Sequence, residues 1–598
     1  MENQTIMTRG KLLILYGSTY GMSAQLAGNL GAEFKQQGFI PQVKSVGDFK
    51  FESLSSIDYP VLFLLSTFGT GGPTSDATDF HEELQKSNQN LQNLNYGIFG
   101  LGNSSYEFFG GMSKTTDKKL QELRANRYYQ LMIGDANNNS TQQKFNEWKK
   151  EILKILLEKI PLQETTQEQM REMSSTFKLT ILKNDATEIY DLLIPGKNEQ
   201  YSTETKHLLD CLKMDIESIK GLKKVPGDSQ TYLIRLKNDE NFNKKQLKYQ
   251  TAGNVQIYPE NNFETVKETA KLLNLDLNQK LDIQMKQKSS KKLIPTPISV
   301  KTLLTKFCDL TGPLTKSDLF ELAEYLKDKK KAEKLIQLTQ KDFEEQFIEN
   351  ITNKKMSFFK FIQQNHNQID LPLQSLIQVT RRINPRQYTI SSSFVANPDH
   401  IDLVITVLKE DQSYGLFTGY LEQLAKDYQN KFLRVSFLES PFLFPQNENQ
   451  ELICVATGSG IGPFRAFCQE KQKLNLKNRI SLYFGCRKPN EDDILIDELN
   501  EFVQKNIINN LKIAYSRQNP EKKQYVQDLI IEDQQYIGDN FFKNDAIFYI
   551  CGSENMSRDV LKALAKVMQN TQNVASYLTM SKISRLKSDG KIITEIQK

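Results

Sequence analysis

Three loops near the start of the chain are built from glycine and hydroxyl residues of the kind that hold a phosphate and a flat ring. The first, Gly17-Ser18-Thr19-Tyr20-Gly21-Met22-Ser23, runs from an apolar segment into a helix-patterned one. Hydroxyls and backbone N–H groups therefore gather at a helix N-terminus, where an anion is favoured. No Gly-Lys-Ser/Thr follows, which excludes a nucleoside-triphosphate loop. By itself the segment reads equally as an ordinary strand–helix turn. The second loop is Ser66-Thr67-Phe68-Gly69-Thr70-Gly71-Gly72-Pro73-Thr74. The third is Gly100-Leu101-Gly102-Asn103-Ser104-Ser105-Tyr106-Glu107-Phe108-Phe109. Their glycines admit a flat ligand to the backbone, and Phe68 and Tyr106 offer rings to wall it.

A second set lies in the other half of the chain. Arg386-Gln387-Tyr388-Thr389 combines a guanidinium fork suited to a pyrophosphate with a ring and a hydroxyl, and Gly415-Leu416-Phe417-Thr418 follows. Gly458-Ser459-Gly460-Ile461-Gly462-Pro463-Phe464-Arg465 leaves an apolar strand and opens a helix, the setting of a dinucleotide loop. Downstream, Ser516, Arg517 and Lys523 supply hydroxyl and cationic donors suited to a 2′-phosphate, with Tyr525 and Gln527 beside them. Cys551, taken alone, reads as a buried small hydrophobe.

The elements that must position these residues follow from periodicity. Lys11–Tyr16, Val61–Leu65 and Tyr96–Phe99 are short apolar runs separated by helix-period segments such as Ser23–Gln37, which predicts a parallel sheet covered on both faces. Pro161 to Ser175 is polar and reads as a linker. Strand-like segments begin near Phe177. Long helical patterns cover Ser317–Lys334 and Lys341–Gln364, and strands return at Arg386–Ser392, Asp402–Leu408 and Phe432–Leu438. Strand–helix alternation resumes from Glu451 to the end.

At 598 residues the chain exceeds one hydrophobic core, so several domains are expected. Its 77 basic and 72 acidic residues nearly balance, which gives no footing for nucleic acid. The run Lys327–Lys331 reads as a solvated helix face. Six cysteines without a Cys-x-x-Cys pair and four scattered histidines suggest no metal site and a reducing compartment. No apolar run is long enough to span a bilayer and no signal-peptide core opens the chain, so a cytoplasmic monomer without an integral membrane segment is expected.

In this order the motifs resemble the diflavin oxidoreductases. The resemblance rests on Leu101–Phe109, Asp117–Leu123, Arg386–Ser393 with Gly415–Thr418, Gly458–Arg465, Leu482–Arg487 and Tyr549–Met556, and it also takes in Tyr258-Pro259 and Leu293–Asp309. It implies a multidomain α/β fold. A flavodoxin-like FMN domain would cover 8–158 and a linker 159–175. An antiparallel FAD-binding barrel like that of ferredoxin–NADP reductase would cover 176–447, with a helical insertion at about 205–375. A doubly wound NADP-binding domain would cover 448–598.

FMN would be held by Ser18 to Ser23, Thr67 to Thr70, Leu101 to Tyr106 and Phe109. FAD would be held by Arg386 to Thr389 and Gly415 to Thr418, and NADPH by Ser459, Ser516, Arg517, Lys523, Tyr525, Gln527 and Asp559. Thr389, Cys551 and Glu595 match the group placed around hydride transfer. The implied function is transfer of NADPH electrons through FAD and FMN to a haem-protein acceptor. Delivery to an iron–sulfur assembly protein, or a flavin-fold scaffold without turnover, are the alternatives.

Four departures stand out. The family usually has Gln-Thr at Thr19-Tyr20, Glu-Gly-Asp at Thr70-Gly71-Gly72, acidic residues at Ala136-Asn137, and a Trp at Gln597. Fewer carboxylates disfavour a reduced flavin anion less and weaken an acidic docking patch. Gln597 implies a weaker shield over the flavin and an altered choice between NADH and NADPH.

Overall fold

The computed structural model describes residues 5–597 except 19–20, 50, 69–70, 105–107, 138–139, 167–168, 170–176, 191–196, 226–228, 240–246, 286–291, 341–342, 409–415, 430, 439, 441, 446, 520 and 522. The chain forms two compact units. One joins Met1–Asp210 to Asn261–Ile383, the other Cys211–Glu260 to Asn384–Lys598.

The first unit holds a parallel sheet in the order Phe39–Ser45, Gly10–Gly17, Val61–Ser66, Asn95–Gly102, with Asn126–Arg127 and Met132–Asp135 both pairing with the last. Its central strands are apolar over Leu12–Leu15 and Val61–Leu65 because both faces are covered. Leu13, Leu15, Phe63 and Leu65 enter one core, and Leu12, Ile14, Leu62 and Leu64 enter the other with Trp148. Gly17 lies opposite Leu65, and Ser66 opposite Leu101. The three ligand-type loops therefore leave the same edge, on both sides of the point where strand order reverses.

A helical block in the same unit runs from Phe263–Leu272 to Leu373–Val379. The long helices expected there are broken. Ser317–Lys334 divides into Lys316–Ala323 and Lys329–Leu338, because Asp328 caps the second by accepting from Lys330 N–H and Lys331 N–H. Phe358–Asn365 likewise begins at its Ser357 cap. The segment read as a linker contains the strand Gln163–Thr166, paired with Thr5–Thr8 through a Thr8–Thr165 hydroxyl contact of 2.7 Å. Phe177–Leu182, expected to open the barrel, pairs instead with Lys280–Met285. Only Phe177 is buried along it, so it lacks the buried face of a barrel stave.

The second unit holds an antiparallel sheet ordered Arg386–Thr389, Asn254–Tyr258, Phe432–Leu438, Leu212–Gly221, Ser229–Asn238, His400–Leu408. It closes into a barrel through an Ile390–Leu403 bridge. Its staves come from both sides of the helical block, which occupies 263–379 rather than the expected 205–375. Beside it stands a parallel sheet ordered Asn510–Tyr515, Ile480–Cys486, Leu452–Thr457, Ile547–Ser553, Ile592–Gln597. Cys454, Leu482 and Tyr549 enter one of its cores, and Ile453, Tyr483 and Phe548 the other.

Candidate functional site

Parallel strands deliver the first site. Gly21, at φ 86°, opens the helix Met22–Gln36, and a side chain there would meet nothing within 4 Å. The backbone is thus open at a helix N-terminus. Thr67 Oγ1 is buried with no hydrogen-bond partner among the described residues. Phe68 is 48% exposed and its loop is closed by reciprocal 3.0 Å bonds with Gly72. An open helix end, an unspent hydroxyl and an accessible ring fit a phosphorylated flat cofactor. Asp135 orders the third loop, accepting from Ser104 N–H at 2.8 Å and Asn137 N–H at 3.0 Å. The Ser104 hydroxyl and these N–H groups hold its carboxyl below the usual range. Leu101 is buried, and a side chain at Gly102 would press on the Phe109 ring.

Two details differ from the sequence reading. Ser23 Oγ donates to Gly17 O at 2.7 Å and meets Ser66 Oγ at 2.7 Å, so its hydroxyl is spent inside the fold. Ser18 N–H donates to Asp76 at 3.0 and 3.1 Å, and Ser18 Oγ accepts from Gly21 N–H at 2.9 Å. Asp76, which also accepts from Thr74 and Ser45 hydroxyls, was not foreseen, although it follows the Gly-rich loop closely. Thr19, Tyr20, Gly69, Thr70, Ser105 and Tyr106 lie outside the described residues, as does Gly415.

The second unit carries the other sites. Arg386 to Thr389 form an edge of the barrel sheet, and the Tyr388 ring sits 5.3 Å from that of Phe417. Burial pushes the Tyr388 phenol up, so it stays a neutral donor. Leu416–Thr418 form the first turn of the helix Leu416–Leu424. Asn254, opposite Thr389, buries an Oδ1 that has no hydrogen-bond partner among the described residues. Ring, guanidinium, helix N-terminus and unspent amide oxygen suit a second flavin nucleotide.

Thr389 Oγ1 donates to Glu595 Oε1 at 2.6 Å, and Ser440 Oγ donates to Glu595 Oε2 at 3.3 Å. Burial pushes the Glu595 carboxyl up, against these bonds and one to Asn254. Cys551 is the register partner of Glu595. Burial and that carboxyl push its thiol far up, so it remains protonated. The three residues singled out for hydride transfer are thus brought together.

A cavity of about 650 Å³ opens in the same unit, lined by Thr457, Gly458, Ser516, Tyr525, Gln527 and Asp559 among others. Gly458 has φ 54° and faces open space. Arg517 and Lys523 are exposed and do not line it; Ser459 does not line it either. Lys223 and Arg487 do, and sequence reasoning gave them no role. Burial first and the nearby Arg487 second push the Lys223 ammonium down, with Asp492 opposing. Two cations that repel at a glycine-lined helix start fit a phosphorylated dinucleotide. Gln597 pairs with Ser553 at the edge of the parallel sheet.

Comparison with known proteins gives matches along the same path. The flavodoxin family matches residues 14–148, the FAD binding domain 207–420 and the oxidoreductase NAD-binding domain 454–562. Among curated relatives, NADPH–cytochrome P450 reductase of Homo sapiens is 26% identical over 611 residues, covering 98% of this chain and 89% of the relative. The same enzyme of Candida tropicalis is 27% identical, covering 94% and 88%, and that of Cavia porcellus 25%, covering 98% and 89%.

Proposed function

The chain belongs to the diflavin oxidoreductases and is an NADPH-dependent enzyme with FMN and FAD as its cofactors, and on that premise we propose that its electron acceptor is a haem protein. The observation that carries the reading is the junction in the second unit. The Thr389–Glu595 bond, with Cys551 in register, belongs to the same unit as a glycine-edged cavity lined by Lys223 and Arg487 together with Asp492 and Asp559, and a flavodoxin-type site lies in the first unit.

When bound, FAD supplies a ring that accepts hydride and FMN one that releases electrons singly. The chain supplies placement and charge. Lys223, Arg487 and Ser516 would bind the dinucleotide phosphates, with Gly458 admitting them to the backbone. Loss of hydride leaves a cationic nicotinamide, which the Glu595 carboxylate would stabilise while Thr389 fixes its direction. Cys551 keeps its proton and leaves the negative charge to Glu595. Ser18 to Met22 and Phe68 would hold FMN, with the Ser23 hydroxyl bracing the loop from inside the fold. Arg517, Lys523 and Ser459 would complete the NADPH grip, and Thr418 and Arg386 that of FAD.

A reducing, cytoplasmic setting is supported by six free thiols, all buried. Among the described residues no helix is long and apolar enough to cross a membrane. The test is purified protein with bound flavins, NADPH and cytochrome c. Rapid reduction supports the proposal. Reduction of an iron–sulfur assembly protein with no turnover on any haem protein would overturn it.

A further inference from the structure

Arg465 ends the Gly-rich dinucleotide loop, yet it does not line the cavity. It is buried, 6% exposed, and its guanidinium is turned toward the barrel. Nη1 donates to Ser391 O at 2.8 Å and to Asp402 Oδ2 at 2.9 Å, and Nε to Glu498 at 2.8 and 3.0 Å. Asp402, 0% exposed, is gripped from its other side by Arg235 through bonds of 2.8 and 3.0 Å. Burial works against the Asp402 charge, but the two guanidiniums hold its carboxyl below the usual range. Arg465 and Asp402 thus form the buried centre of a charge cluster whose outer members are partly exposed: Arg235, Glu498 and Glu217, the last 3.9 Å from Arg235. The cluster joins the strands Ser229–Asn238 and His400–Leu408 of the barrel to the helices Gly462–Leu474 and Ile496–Gln504.

The cluster belongs to a closed circuit of contacts. Ser391 follows Thr389 by two positions, and a side chain on Gly462 would stand 3.1 Å from Ser391 Cβ. On the other side of the loop, a side chain on Gly460 would collide with the Cys551 carbonyl. Cys551 pairs with Glu595, and Glu595 accepts from Thr389. The loop is wedged between the two segments that carry the reacting groups, and Arg465 bolts it there.

We infer that Arg465, held by Asp402, is a positioning residue for hydride transfer, fixing the pyrophosphate loop against the strand end that bears Thr389. Hydride transfer demands reacting atoms about 3–3.5 Å apart, and a 1 Å misplacement can cost roughly 10²-fold in rate. A loop shift that leaves the adenosine end of NADPH seated would therefore register in the rate before it registers in affinity. The inference rests on NADPH being the donor. Wild-type flavin reduction by NADPH tests that premise by itself.

The experiment uses the full flavin-loaded chain with Arg465→Met, Asp402→Asn and Arg465→Lys. Stopped-flow flavin reduction by NADPH and by its 4-deuterated form is measured, with the Kd of 2′,5′-ADP, the Kd of NADP⁺ and the visible circular dichroism of the flavin. In Arg465→Met the rate is expected to fall about 10- to 100-fold with a larger isotope effect. Asp402→Asn moves the same way to a smaller degree, and Arg465→Lys recovers part of the rate. The Kd of 2′,5′-ADP stays within about twofold, while that of NADP⁺ shifts. An unchanged reduction rate in Arg465→Met overturns the inference. So does a parallel loss of 2′,5′-ADP affinity or of flavin signal in all three variants, since that marks a purely structural role.

Discussion

Glu595 accepts hydrogen bonds from Thr389 and Ser440, yet burial keeps its carboxyl up. A raised acid holds its proton to higher pH, so the form able to stabilise a cationic nicotinamide is lost earlier as pH falls. Flavin reduction should decline on acidification from a pH above the usual carboxylate range. Glu595→Gln should flatten that profile and lower the plateau by about 10²-fold, as read by stopped flow. Asp76 argues a second case. Its carboxylate holds Ser18 N–H at the loop where a phosphate dianion belongs. Asp76→Asn keeps most of the bonds, since hydroxyls reverse roles, and removes the repulsion. FMN should bind about tenfold tighter by fluorescence titration, and weaker binding would refute the argument. Thr389, Cys551 and Glu595 could be singled out in the sequence through the resemblance, and strand register then brings them together. Asp76, Lys223 and the Arg235–Asp402 pair could not be singled out, because their partners are set by strand register across long stretches of chain. Arg465 was legible as a motif residue, but its motif gave no sign that the side chain turns inward.

Strands were the easiest elements to read. Runs such as Val61–Leu65 are apolar at every position because alternate side chains fill two different cores. Helix breaks were harder, since the pattern around Lys316–Leu338 continues across a cap that only Asp328 marks. The barrel was hardest: Leu212–Gly221 and Arg386–Thr389 share a sheet, but nothing local connects them. The loop Gly458–Ile461 makes an element-level prediction. It passes close to Cys551, so Gly460→Ala forces a backbone shift. The cost should be about 1–3 kcal/mol, seen as a lowered Tm and a weakened NADP⁺ affinity.

At the scale of the molecule, the flavodoxin-type site belongs to one unit and the NADPH-facing chemistry to the other. Within the first unit, Lys35 of the helix Met22–Gln36 pairs with Glu324 of the helical block at 3.0 Å and lies 5.1 Å from the Phe320 ring. Burial opposes the Lys35 charge, but Glu324 and Glu321 more than restore it. Lys35→Glu should loosen the flavodoxin-like sheet from that block. Cytochrome c reduction should then fall several-fold while ferricyanide reduction by NADPH is unchanged; an equal fall in both would refute this.

The split barrel has a consequence for the nascent chain. Strands Leu212–Gly221, Ser229–Asn238 and Asn254–Tyr258 leave the ribosome well before His400–Leu408 and Phe432–Leu438 are made. Until then their edges stand open, the condition under which half-made sheets stick to one another. Biogenesis should therefore depend on chaperone shielding through translation of the helical block. The parallel sheet at the end of the chain, whose strands follow one another closely in sequence, escapes that wait.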